Sequence, residues 1–175
     1  FVDFDLDTWL DLIVTNGHVD DNRHLLGQET LYDQPALLLQ NNAGRRFESL
    51  EVRGGSYFAT RHVGRALVIA DLDNDGDQDV VIGHQDGPPA LLDNIVSDSF
   101  NGVCVQLIGT SGNRRAVGAS LVARGGERIQ RSQVKGGTSY LSSSDARQVF
   151  AMPPGIDELE LEIQWLGGAT ASLKV

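Results

Sequence analysis

The segment DLDNDGDQD places Asp71, Asp73, Asp75, Asp77 and Asp79 within nine residues, and DFDLDTWLD repeats the arrangement with Asp3, Asp5, Asp7 and Asp11. Two unit charges about 5 Å apart repel by roughly 0.8 kcal/mol even at the dielectric of water, and by more beside a protein wall. A folded loop that gathers several such pairs needs a compensating cation. Hard oxygens at alternate positions suit Ca2+, which takes about six to eight oxygen ligands in flexible geometry.

The spacing excludes an EF-hand. That loop closes on a glutamate at its twelfth position and runs into a helix. Counted from Asp71 or Asp3, the twelfth residue is Ile82 or Val14, and neither side chain can ligate. The closing acid stands instead at the ninth position, as Asp79 or Asp11. Short apolar runs follow, Val80-Val81-Ile82 and Leu12-Ile13-Val14, stopped by Gly83 and by Asn16-Gly17. Such runs read as buried strands. Another, Ala66 to Ala70, precedes the second loop. The unit is therefore a β-hairpin whose turn is built around an ion.

Roles follow from position. Asp71, Asp73 and Asp75 offer side-chain oxygens, Asp77 its backbone carbonyl and Asp79 a bidentate carboxylate. The first loop maps as Asp3, Asp5, Asp7, the carbonyl of Trp9, and Asp11. Gly76 sits where the chain turns sharply, a place for positive φ, and Thr8 occupies that place in the first loop. A β-branched residue there costs on the order of 1 kcal/mol. The expectation is two Ca2+ sites, the one at 71–79 the stronger.

Two other readings compete. Asp-Gly turns with solvated carboxylates would give one such run, but not two with matching spacing and strand context. Val68 to Asp73 also resembles the DxD start of haloacid-dehalogenase-type hydrolases. That fold needs alternating helices, and this chain has almost no helical periodicity.

Charge is uneven. Residues 1–98 carry 18 acids and 6 bases, a net of −12, whereas residues 99–175 carry 6 acids and 8 bases, a net of +2. An acidic chain without a basic patch argues against nucleic acid as a partner. No apolar stretch reaches the roughly 18 residues that span a membrane. No signal peptide is present, and the chain, starting on the strand into the first loop, reads as cut from something longer. The single cysteine, Cys104, lies in the alternation Val103 to Leu107 and is expected to be a buried, inert thiol.

Turn signals recur throughout and the pattern is all-β. Asp20 to Gln34 reads as a surface insertion. Leu37 to Gln40, a turn at 41–45 and Phe47 to Leu50 form a second hairpin. Gly87 to Asn94 echoes Gln34 to Leu39, and the acidic loops recur after 68 residues. Repeats of short strands suggest propeller blades, here too few to close a ring. From about Asn101 the candidate strands are 103–108, 118–123, 128–135, 148–152 and 158–165. In the last of these, Leu159, Leu161, Ile163 and Trp165 share one face. The expected architecture is partial β-propeller blades over 1–98, then a small antiparallel β-sandwich over 99–175.

These residues look like a known arrangement. DFDLDTWLDLIVTNGHV and GRALVIADLDNDGDQDVVIGHQDGPPALLDN are similar to the FG-GAP (VCBS-type) repeats of calcium-binding β-propellers. LIGTSGNRRAVGASLVARGG, QVKGGTSYLSSSD and LELEIQWLGG resemble the ASPIC/UnbV domain that follows such repeats in cartilage acidic protein and bacterial proteins. The resemblance departs at Thr8, and at His84 where the first copy has Asn16. It implies a secreted, surface or periplasmic protein whose repeats bind Ca2+ structurally, with further blades in a longer parent chain and no catalytic mechanism.

Other residues add less. His18, His24, His62 and His84 are scattered and read as surface or turn histidines rather than a zinc site. The hydroxyl-rich loop Gly136 to Asp145 offers Tyr140 and Asp145 to a glycan or peptide, or else caps the sandwich with Tyr140 packed inward. Asn113-Arg114-Arg115 reads as a solvated turn, and Arg128 and Arg131 make no ready clamp. The expected function is a non-enzymatic adhesion or recognition module with an unidentified protein or glycan partner. The alternative is an accessory part of a secreted enzyme acting on carbohydrate or a secondary metabolite. A glycosidase needs two carboxylates at a defined separation, and the clustered acids here are expected to be committed to metal.

Overall fold

A computed structural model of the chain describes residues 1–27, 29–50, 54–95 and 101–175. Its regular structure is all-β apart from one 3-10 turn, Arg23–Leu26. The strands are β1 (Leu12–Val14), β2 (Gln34–Pro35), β3 (Leu37–Asn41), β4 (Phe47–Ser49), β5 (Arg61–His62), β6 (Gly64–Ala70), β7 (Asp79–His84) and β8 (Ala90–Leu92) in the first half. In the second half they are β9 (Gly102–Val105), β10 (Ser120–Gly125), β11 (Arg128–Gln133), β12 (Gln148–Ala151), β13 (Glu160–Gln164) and β14 (Thr170–Lys174). All pairings are antiparallel.

The internal repeat is visible in the ladders. Strands β1, β3 and β4 form one sheet and β6, β7 and β8 another. Leu12 pairs with Leu39 and Ile13 with Leu38; Val80 pairs with Leu92 and Val81 with Leu91. The two hairpins thus share one register. Their closing aspartates confirm the insertion: Asp11 and Asn41 are 30 residues apart, Asp79 and Asn94 only 15. The difference matches the span Asp20 to Gln34, which contains the 3-10 turn and the first of the two residues of β2; Gln28 within it lies outside the described residues.

Although the registers match, the buried faces do not. Side chains alternate across a strand, and the first sheet buries Ile13 and Leu38 while the second buries Leu67, Val80 and Ile82. These residues form one core together with Val2, Ala36 and Phe58. One face of the first sheet therefore meets the non-equivalent face of the second.

Downstream, β11-β10-β13-β14 form a four-stranded sheet facing the ribbon of β9 and β12. Leu121, Ala123, Leu159, Leu161 and Ile163 from the sheet close over Phe150 and Ala151, with Val103, Val105 and Trp165 at the margin. The alternation expected over 158–165 holds, with Glu160, Glu162 and Gln164 exposed. The edge strand β14 has no counterpart in the sequence reading; its five residues are all exposed and offer no buried apolar run. The expected boundary between residues 98 and 99 lies outside the described residues.

Three expectations need correction. Cys104 is exposed: Val103 and Val105 take the core face of β9, so the thiol between them points outward. The loop before β12 does not cap the sandwich, and Tyr140 is not packed inward but 68% exposed. Instead the Leu67 N–H donates to the Ser142 hydroxyl at 2.9 Å and the Ile69 N–H to the Ser144 hydroxyl at 3.1 Å. The Asp145 N–H completes the seam by donating to the Ile69 carbonyl. Serine side chains thus satisfy the outer edge of β6, which would otherwise present unpaired backbone groups. Finally, His62 and His84 are not scattered: their rings stack 4.9 Å apart, beside Tyr57.

Candidate metal centre

Each acidic loop is a run of Asx turns. In the second, the Asp75 N–H donates to the Asp73 carboxylate and the Asp77 N–H to that of Asp75. In the first, the Asp7 N–H donates to Asp5 and the Trp9 N–H to Asp7. Short polar side chains that bond two residues onward bend the chain tightly. The bends need positive φ at two equivalent places in each copy: 66° at Asn74 and 96° at Gly76, 55° at Leu6 and 78° at Thr8. Asparagine and glycine tolerate that region; leucine and threonine are strained there.

The ninth-position aspartates are staples. Asp79 accepts the N–H of Leu72 and of Asn94, both at 2.9 Å. Asp11 accepts the N–H of Phe4 at 3.2 Å and of Asn41 at 2.7 Å. Each closes its own loop and ties it to the end of a neighbouring strand, Asn41 ending β3 and Asn94 lying just past β8. A carboxylate oxygen has two lone pairs, so these bonds leave acceptor capacity.

Carboxylate oxygens of Asp71, Asp73 and Asp75 lie within 4.8 Å of one another, and so do those of Asp3, Asp5 and Asp11. Asp7, Asp77 and Asp79 lie outside these triads, as do the positions whose expected ligand is a carbonyl. Asp71 is only 4% exposed, and its Oδ1 is buried without a hydrogen-bond donor. A buried acceptor left unsatisfied costs about 1–3 kcal/mol, more when charged. The donor set of each triad is all hard oxygen, which fits Ca2+ and offers nothing to a soft metal.

Desolvation raises carboxyls in both loops, Asp73 in the second and, more strongly, Asp3 and Asp11 in the first. Burial, reinforced by Asp5, Asp7 and Asp11 and opposed by the Thr8 N–H, raises the Asp3 carboxyl to about 7. Burial likewise raises Asp11 to about 7, against the N–H groups of Asn41 and Phe4. Asp7 is raised by burial too. Protons thus compete for the first loop near neutrality.

The histidine cluster offers no open metal site. The Tyr57 hydroxyl meets His84 Nε2 at 2.8 Å, His84 Nδ1 meets the Pro88 carbonyl, and His62 Nε2 meets Thr60. Sequence reasoning missed Asn41 and Asn94 as staples, although both end echoed apolar runs. It also missed Arg147, which carries no motif.

Residues 109–175 match the family model described as ASPIC and UnbV. The matched segment holds β10 to β14 and the serine seam on β6. Both acidic loops lie outside it. No curated protein matches the chain. Among the described residues no helix is long and apolar enough to cross a membrane.

Proposed function

We infer that this chain is a calcium-stabilised recognition module: FG-GAP/VCBS-type blades bearing two structural Ca2+ loops, joined to an ASPIC/UnbV domain. The observation that carries the reading is the buried, unsatisfied Oδ1 of Asp71 beside the carboxylates of Asp73 and Asp75. Asp3, Asp5 and Asp11 would hold the second ion, with Asp7, Asp77, Asp79 and the carbonyl of Trp9 completing the shells. Bound Ca2+ would supply positive charge and fix loop geometry. The 71–79 site is the tighter, because Gly76 and Asn74 accept the φ values that strain Thr8 and Leu6. ASPIC/UnbV domains occur in extracellular or surface proteins, where millimolar Ca2+ suits modest affinity, with Kd of about 10⁻⁴–10⁻³ M.

On this reading the acids stabilise the fold rather than perform catalysis, and the protein acts by binding a protein or glycan partner, with further blades supplied by a longer parent chain. Thermal melting with and without chelator tests it. Saturating Ca2+ is expected to raise Tm by several degrees over EDTA, since a ligand at about 100 times its Kd contributes roughly 2.7 kcal/mol per site. An unchanged Tm in EDTA would end the structural-calcium reading.

A further inference from the structure

Both acidic loops face the C-terminal strands, and an arginine from that half reaches each. The Arg128 guanidinium lies over the Trp9 ring, 5.3 Å from its centroid. Arg147 makes closer contact. Its Nη2 donates to the backbone carbonyl of Asp71 and its Nη1 to the Asn74 side-chain oxygen at 2.7 Å, while Nε is held by Asp145. One planar fork thus spans the first and fourth positions of the second loop. Backbone contact reinforces it: a Cβ on Gly102 at the start of β9 would sit 1.8 Å from the Gly76 carbonyl oxygen.

The anchor of the fork is the serine seam. Asp145 bonds to β6 through its N–H and to Arg147 through its carboxylate. Burial pushes that carboxyl up, but the hydrogen bonds and charge of Arg147 outweigh it and hold it below the usual range. Since the ion pair is close to neutral overall, Arg147 presents the loop with directed donors more than with net charge. A guanidinium has rigid donor geometry, so it fits the loop only when Asp71 and Asn74 keep one separation. Asp71 carries the unsatisfied carboxylate oxygen on the same residue whose carbonyl the fork holds.

We propose that Arg147 is a positioning residue for the cation site at Asp71, Asp73 and Asp75. Ca2+ binding there and closure of segment 138–147 over β6 then form one linked equilibrium. The inference rests on the calcium reading above. Ca2+ holds Asp71 and Asn74 at the spacing the fork requires, and the closed fork favours Ca2+ by the same factor. Such reciprocity is required of any coupling between two binding events, and typical couplings are about 5- to 150-fold.

The test uses the full chain with Ca2+ alone as probe, reading calorimetry and the amide hydrogen exchange of Leu67 and Ile69. In the unaltered protein Ca2+ is expected to slow exchange at both amides. Arg147→Ala is expected to weaken one of the two sites about 5- to 30-fold, spare the other, and abolish the calcium-dependent slowing while the β10–β13 amides stay protected. Arg147→Lys restores charge without the fork and is expected not to restore the slowing. Asn74→Gly removes one acceptor from the loop side while still accepting the φ of 66° there, and should act in the same direction to a smaller extent, which keeps the test open if Arg147→Ala misfolds. Unchanged affinity in Arg147→Ala, full rescue by lysine, or exchange indifferent to Ca2+ in a protein that binds it would overturn the proposal. An unaltered chain that binds no Ca2+ would overturn the calcium reading first and this inference with it.

Discussion

The side-chain amide of Asn94 donates to the carbonyl of Phe4 at 2.7 Å, while its backbone N–H donates to Asp79. Phe4 in turn donates its own N–H to Asp11. A single asparagine therefore links the closing aspartate of one acidic loop to that of the other. Asn94→Ala removes the side-chain link and leaves the backbone bond in place. It is expected to cost about 1 kcal/mol, read from urea unfolding of the calcium-loaded protein. A loss below about 0.3 kcal/mol would show that the link has no energetic weight.

Thr8 combines a φ of 78° with a buried hydroxyl that has no hydrogen-bond partner. Thr8→Gly relieves both at the cost of extra freedom in the unfolded chain. The net expected gain is about 0.5–1 kcal/mol in calcium, with tighter binding at the first loop alone by calorimetry. No gain in either would remove Thr8 as the cause of the difference between the loops.

Asp3 and Asp11 give a pH dependence of defined sign. Burial raises their carboxyls in the folded, calcium-free protein to about 7, well above the ordinary aspartate range. The folded state thus holds protons that the unfolded state has lost, so stability is greatest below the unfolded value and falls as pH rises through about 7. In EDTA, Tm is expected to decline between pH 5 and pH 8. In calcium the trend should reverse, because Ca2+ must displace those protons. Parallel pH profiles with and without Ca2+ would contradict this.

Ser142 and Ser144 accept backbone N–H groups from β6 that have no strand beside them. Ser142→Ala and Ser144→Ala are each expected to destabilise by about 1 kcal/mol. Replacing the exposed Tyr140 by serine should stay within about 0.5 kcal/mol. Equal losses for all three would mean that the loop acts by bulk packing rather than through those hydroxyls.

Much of this was legible in the residues. Apolar runs of matching length after matching acidic spacings fixed both hairpins, and the alternation of Leu159, Leu161 and Ile163 located the centre of the second core. The serine seam and Arg147 escape for one cause, dependence on partners distant in the chain. The serine seam lies 75 residues from the strand it covers. Arg147 reaches back 73 and 76 residues, and no local pattern encodes such a reach. Cys104 escapes for a local reason: the alternation around it sets Val103 and Val105 on one face and the thiol on the other, but does not say which face is inward.

The two hairpin sheets meet through non-equivalent faces, Ile13 and Leu38 against Val80 and Ile82. Such a contact has a front and a back, so each unit keeps a second face that this contact does not use. On the second sheet that surface carries Val81 and Leu91, the latter 65% exposed. Head-to-tail contacts of this sort close into rings or run on as filaments, unlike two-fold contacts, which end with the pair. Growth by one more unit would need no new design, only another copy set on the face that the last sheet leaves uncovered.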